Sequence, residues 1–157
     1  MDFVSINNVS FEYKRGHPVI KSINWGIPKG EFHSLIGRSG CGKTTLLKIA
    51  AGLITPTAGG VAIDNIRVSC PGIKTGFVFQ APNLLEWLSV LENVLLPITV
   101  NSKKRIKHFD LALEVLETVG LKDYANHYPT ELSGGQQSRV AIARALITEP
   151  ALLLMDE

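Results

Sequence analysis

Cysteine is scarce in this chain of 157 residues: Cys41 and Cys70 are the only two. Two thiols exclude a disulfide-rich scaffold and point to a reducing compartment. An excess of charge of one sign is also missing. Sixteen Lys and Arg stand against 14 Asp and Glu, a formal charge of +2. That is too small for nucleic-acid binding to be read from charge. Long apolar runs are absent too. The longest uncharged stretch, residues 49–63, is broken by Gly52, Pro56, Gly59 and Gly60 and is too short to span a bilayer. The start, Met1-Asp2-Phe3-Val4-Ser5, lacks the basic and apolar pattern of an export signal. The expectation is a soluble chain that another chain must tether for any work at a membrane. What is present is a hydrophobic content of 45%. This suffices for the core of one domain and excludes a disordered chain.

Alternation over residues 3–13 predicts a strand with both faces partly buried, and Lys14 to Pro18 a turn. Val19 to Ile27 reads as a second strand and Phe32 to Ile36 as a short third one. Lys43 to Ala51 reads as a helix with Leu46, Leu47 and Ala50 inward, stopped by Gly52. Val61 to Ile63, the turn Asp64-Asn65, and Ile66 to Val68 suggest a hairpin. Gly76 to Phe79 is a further strand, and Leu88 to Leu96 a short helix that Pro97 ends. Ile106, Phe109, Leu113 and Leu116 step by three and four, which predicts a helix over 103–119. Ser133 to Ile147 is another helix, and the unbroken apolar run Ala151 to Met155 suits a parallel strand covered on both faces.

Three segments carry chemistry. Gly37-Arg38-Ser39-Gly40-Cys41-Gly42-Lys43-Thr44 satisfies G-x-x-x-x-G-K-[ST] between a predicted strand and a predicted helix. Glycines let main-chain N–H groups turn inward around phosphates. Lys43 supplies a point charge for the β- and γ-phosphates, and the Thr44 hydroxyl is placed for Mg²⁺. The helix that follows aims its positive end at the same anion. Cys41 reads as a small loop residue rather than a nucleophile, since no His or carboxylate pattern marks it. At the end of the apolar run stand Asp156 and Glu157, at the strand edge where α/β ligand sites lie. The expectation is that Asp156 reaches the Mg²⁺ shell there while Glu157 faces an attacking water. The third segment is Leu132-Ser133-Gly134-Gly135-Gln136. Ser133 and Gln136 form a capping box. Two glycines in a first helical turn cost about 1 kcal/mol each relative to Ala, so capping alone does not explain them. They leave main-chain N–H groups open to an anion.

These residues resemble the nucleotide-binding subunit of ATP-binding-cassette (ABC) transporters over essentially the whole chain. Residues 37–44 resemble the Walker A motif, Leu132 to Gln136 the ABC signature, and Leu152 to Glu157 the Walker B motif with its catalytic glutamate. Gln80, after Gly76-Phe77-Val78-Phe79, resembles the Q-loop glutamine, and Tyr13 the aromatic that stacks on adenine. The resemblance implies an α/β fold: a P-loop NTPase core of ABC ATPase type, with an N-terminal antiparallel β subdomain and an α-helical subdomain at about 81–148. It implies ATP and Mg²⁺ as ligands. Tyr13, Gly37 to Thr45 and Gln80 would bind the nucleotide. Thr44, Gln80 and Asp156 would ligate the metal, and Glu157 would be catalytic. Leu132 to Gln136 would contact the ATP of a partner chain in a head-to-tail dimer. The implied partners are that second ATP-binding subunit, transmembrane permease subunits and, indirectly, a solute-binding protein, but no nucleic acid. The implied location is the cytoplasmic face of the cell membrane, held there by the permease.

The stretch Pro71-Gly72, then Gly76 to Gln80, then Leu84 to Val90 and Glu92-Asn93-Val94 resembles the nitrate/sulfonate/taurine importer group, although that group often has Pro where Glu86 stands. Trp87 and Leu88 read as packing, or as contact with a permease helix, rather than cofactor stacking. Ser138 stands where glutamine is frequent, with little consequence expected. The family pattern continues beyond Walker B into further strands and a switch histidine, and His17, His33, His108 and His127 all precede it. The expectation is a partial ATP-binding domain spanning 1–157, with the C-terminal strands missing. Three functions stay open: the ATPase subunit of an importer, an ABC ATPase used outside transport, and a nucleotide-binding fragment without turnover. The interval between the Walker A-like and signature-like segments holds no sustained heptads, which disfavours the second.

Overall fold

A computed structural model describes residues 2–72, 74–101 and 108–156. They fall into two compact units, Met1–Gly72 and Ile73–Glu157.

The first unit is built on an antiparallel sheet of β1 (Val4–Lys14), β2 (His17–Ile27), β3 (Ala58–Ile63) and β4 (Ile66–Arg67), in the order β2-β1-β3-β4. The alternation in β1 is not continuous. Val4 and Ile6 are buried, but so is Val9, and the register with β2 shifts between Ile6 and Val9. Asn8, at φ 49°, is the bulged residue that moves the inward face from even to odd positions. Ser5, Ser10, Phe11 and Glu12 are half-buried, so both faces are partly covered as alternation predicts, but the more buried face changes at the bulge. The β3–β4 turn is Asp64-Asn65, both at positive φ (50° and 61°), the mirror-image turn that fits strand twist.

In the same unit lies α1 (Lys43–Ala50), which buries Leu46, Ile49 and Ala50 and leaves Leu47 half-buried. Its end is a Schellman motif. Gly52 N–H donates to Ile49 O at 3.0 Å, and Leu53 N–H donates to Lys48 O at 2.9 Å. Gly52 sits at φ 74°, and a Cβ there would meet the Cys70 carbonyl at 2.6 Å.

One expected strand is absent. Phe32 to Ile36 forms no strand, and Phe32 and Ile36 are 91% and 92% exposed. A strand exists only through hydrogen bonds to a neighbour, and among the described residues none pairs with this segment.

The second unit holds the parallel pair β5 (Thr75–Val78) and β6 (Leu152–Met155). Its helices are α2 (Val90–Asn101), α3 (Phe109–Thr118) and α4 (Gly134–Leu146). These three bury one apolar cluster that includes Val94, Leu95, Leu116, Val140 and Ile147. The helix expected at Leu88 starts at Val90 instead. Ser89 and Glu92 make the reciprocal cap, Ser89 N–H to Glu92 Oε2 at 3.0 Å and Glu92 N–H to Ser89 Oγ at 3.2 Å. Nor does Pro97 end it. The missing N–H removes one ladder bond, but α2 continues to Asn101 because Val90, Leu91, Val94 and Leu95 anchor it in the cluster. Residues 102–107, including Ile106, lie outside the described residues; Phe109 is exposed, while Ala112 and Leu116 are fully buried. β6 is covered less than its composition suggested: Leu154 is buried, Leu152 and Leu153 are half-buried and Met155 is exposed.

Candidate functional site

Tyr13 and Gly37 to Thr45 belong to the first unit. Residues 37–41 form an exposed loop that curls on itself. Cys41 N–H donates to Arg38 O at 3.3 Å. Two of the three ammonium donors of Lys43 go inward, to Gly37 O at 2.9 Å and Arg38 O at 3.1 Å. The cation is thereby held at the mouth of the loop. Gly42 needs to be glycine twice over. It sits at φ 101°, and a Cβ would press on Val19 at 3.2–3.3 Å. It caps α1 with no side-chain hydrogen bond, and the first turn carries no acidic residue. A helix start with a cation, glycine caps and no competing carboxylate fits an anion.

Tyr13, near the end of β1, lies against α1: its hydroxyl and Thr45 Oγ1 share a hydrogen bond at 3.2 Å. Its ring packs edge-on against Phe11, with centroids 4.8 Å apart. The side chain is 64% exposed, so the ring keeps an open surface beside the helix that the loop leads into.

In the second unit, Gln80 follows β5 and Asp156 follows β6. The two strands are parallel, with Val78 opposite Met155, and Asp156 N–H donates to Val78 O at 3.0 Å. Parallel pairing thus carries Gln80 and Asp156 to the same strand ends. Asp156 is buried and Gln80 exposed. Glu157 lies outside the described residues. Among the described residues, no cluster of three or more His, Cys, Asp or Glu could hold a metal. Within the second unit, the oxygen donors of Gln80 and Asp156 are of the kind Mg²⁺ takes, a cation that is held by few carboxylates plus substrate phosphate.

Ser133 caps α4 as its spacing predicts. Gln136 N–H donates to Ser133 Oγ at 3.3 Å, and Ser133 N–H donates to Gln136 Oε1 at 2.8 Å. A Cβ added at Gly134 or Gly135 would meet nothing within 4 Å. Neither glycine is demanded by the packing of this chain or by a positive φ, so the open face is available to something else. Leu132 is buried and anchors the turn. Ser138 turns back on the helix, its hydroxyl donating to Gly134 O at 3.0 Å.

A sequence profile described as ABC transporter matches residues 20–157. The chain belongs to the ABC transporter family. Among its relatives, the taurine import ATP-binding protein TauB of Pelagibacter ubique is 43% identical over 159 residues, covering 99% of this chain and 60% of that protein. The nitrate import ATP-binding protein NrtD of Synechocystis is 44% identical, covering 100% of this chain and 59% of that one. The dimeric post-hydrolysis structure of the ATP-binding cassette MJ0796, bound to ADP and Pi, matches with a TM-score of 0.83 at 41% identity, covering 98% of this chain and 73% of that chain. The chain thus spans about 60% of the length of these two curated relatives.

Within this ABC-family chain, three side chains to which the motifs assign no role support the same segments. Gln137 Nε2 donates to Pro129 O at 2.8 Å and Leu132 O at 3.3 Å, fixing the turn that enters the signature-like helix. Asn93, fully buried in α2, grips the loop after Gln80: Oδ1 accepts from Leu85 N–H, and Nδ2 donates to the carbonyls of Leu85, Leu88 and Ser89. Arg144, toward the end of α4, donates to Pro82 O at 2.6 Å and Asn83 O at 2.8 Å. Burial lowers its guanidinium from the ordinary value. Trp87, carried on the loop that Asn93 fixes, is 73% exposed, so it is not a packing residue of this unit.

Proposed function

We propose that the chain is the ATP-binding and ATP-hydrolysing part of an importer subunit for nitrate-, sulfonate- or taurine-like solutes. One observation carries the reading. The chain has two helix starts open to an anion, at Gly42-Lys43 and at Ser133-Gly134-Gly135, each shaped by glycines and neither carrying an acidic residue in its first turn. The names of the relatives, which describe import ATP-binding proteins, support the solute class. The neighbour's dimer bound to ADP and Pi supports a nucleotide shared between two chains arranged head to tail.

In this reading residues 1–157 belong to an ATP-binding domain, with about 81–148 as its helical part. Gly37 to Thr45 wrap the phosphates of ATP, and the Tyr13 ring stacks on the adenine. The Lys43 ammonium offsets negative charge that shifts toward the leaving phosphate oxygen. Thr44, Gln80 and Asp156 would each offer an oxygen to Mg²⁺, which would supply positive charge to the phosphates. Glu157 orients the attacking water and takes its proton. Leu132 to Gln136 present N–H groups to the ATP of the partner chain. Gln80 passes closure on to a permease. No helix among the described residues is long and apolar enough to cross a membrane. In this reading the subunit works at the cytoplasmic face, held there by that permease, with a solute-binding protein delivering cargo to it.

The test is steady-state phosphate release by the purified protein. The expected result is Mg²⁺-dependent turnover of ATP, lost on chelation. Binding of ATP without release would favour a non-catalytic nucleotide-binding fragment, and absence of both would overturn the reading.

A further inference from the structure

The segment after Gln80 is gripped from one helix at two places. Before Gln80, Val78 of β5 packs with Ala141 and Ala145 of α4. The approach is close: a Cβ on Gly76 would lie 3.0 Å from Ala145 O. After Gln80, the chain turns through Pro82 and Asn83, the latter in the left-handed region at φ 47°. Arg144 of α4 bridges the carbonyls of those two residues with both terminal nitrogens. The exposed Gln80 is therefore spanned by two attachments to the helix whose first turn is the Ser133–Gln136 capping box. Ser133 and Arg144 are separated by roughly three helical turns.

The choice of arginine is informative. Its neighbours on α4 are the buried Ala141, Ala143 and Ala145. Among the described residues the polar partners of Arg144 are two main-chain carbonyls and no carboxylate. Half-burying a cation without an opposite charge is a poor way to gain stability. A planar fork, by contrast, holds two carbonyls in one plane at a fixed spacing, whereas a rotatable lysine ammonium can reach two carbonyls without fixing their relative orientation.

We propose that Arg144 is a positioning residue for Gln80: it locks the Gln80–Asn83 turn to α4, so that the glutamine and the Ser133–Gln136 signature move as one body when nucleotide is engaged. This rests on the ATPase reading above. A displacement of the signature end of α4, where a partner's phosphate would bind, is passed to Gln80 through the body of the helix and the Arg144 fork. Removing the fork leaves both ends intact and uncouples them.

The experiment compares wild type with Arg144→Lys and Arg144→Met in the purified protein. It reads ATPase kcat and KM, thermal midpoint, and amide hydrogen exchange across residues 80–85. For Arg144→Lys the expected result is a kcat about tenfold or more below wild type, with KM within twofold and the thermal midpoint nearly unchanged. Exchange at 80–85 should become faster, while exchange in α4 stays as in wild type. Arg144→Met should show the same pattern more strongly; if it fails to fold, the lysine variant decides. A lysine variant with kcat within twofold of wild type, or with exchange at 80–85 unchanged, overturns the proposal. So does a loss of kcat matched by an equal loss of thermal stability. A wild-type protein that neither binds nor hydrolyses ATP overturns the ATPase reading and this proposal with it. Turnover by wild type with an unaffected lysine variant overturns this proposal alone.

Discussion

Lys43→Ala is expected to weaken ATP binding at least about 100-fold, equivalent to about 2.7 kcal/mol. Two effects combine. The variant removes the cation that faces the phosphates, and a charge-assisted contact to phosphate is among the stronger hydrogen bonds. It also releases the loop, since the ammonium is what ties Gly37 O and Arg38 O together. A loop that must be ordered at the moment of binding adds an entropic cost to the lost attraction. The apolar side of α1 is untouched, because Leu46, Ile49 and Ala50 form it. The melting temperature should therefore stay close to wild type. Equilibrium titration with a fluorescent ATP analogue measures the change. An affinity within threefold of wild type would remove Lys43 from its assigned role.

The second large effect concerns stability rather than binding. Asn93→Leu, which keeps the branched heavy-atom shape, is expected to cost roughly 2–4 kcal/mol, from about 1–3 kcal/mol for each polar group left unsatisfied. Asn93 is fully buried and satisfies one N–H and three carbonyls from Leu85 to Ser89. Leucine takes away the partner of Leu85 N–H and of Leu88 O, while Leu85 O keeps the Leu88 N–H and Ser89 O keeps the main-chain N–H of position 93. Asn93→Asp should be worse than the leucine variant at neutral pH, because a carboxylate oxygen would then face the three carbonyls. Chemical denaturation of the three proteins gives the order directly. Asn93→Asp as stable as wild type would show that the amide is not what holds the loop.

Local chemistry was legible in the sequence wherever a segment's conformation is set by its own residues. The cap at Ser133, the glycine stop at Gly52 and the tight turn at Asp64-Asn65 all took the expected form. The parallel strands were legible too, because Thr75 to Val78 and Leu152 to Met155 are short runs between clear punctuation. Phe32 to Ile36 was misjudged because strand propensity says nothing about whether a neighbour is at hand to pair with. Pro97 was misjudged because one lost hydrogen bond is outweighed by four buried side chains on the same helix. Asn8 looked like one more residue in an alternating strand; the bulge it creates depends on its pairing with β2.

The candidate site divides in the same way. Loop, signature and the strand-end pair are contiguous patterns in the sequence, and the loop, the signature and Asp156 lie on the expected elements. Arg144 and Asn93 left no such trace. Arg144 meets carbonyls about sixty residues earlier in the chain, and carbonyls carry no sequence identity. The only hint was chemical: a cation among alanines, and an amide in the middle of an apolar helix. Such residues are conspicuous by polarity, but their partners become visible only with the fold.

The account depends on two helix starts, at Lys43 and at Ser133, serving one nucleotide from two chains. A crystal structure of the protein with a non-hydrolysable ATP analogue and Mg²⁺ tests it most directly. The account predicts a pair of chains with the γ-phosphate touching Lys43 of one and the Ser133–Gly135 turn of the other. Nucleotide absent from the Gly37–Thr44 loop, or bound there with no second chain's Ser133 turn at its phosphates, would contradict it.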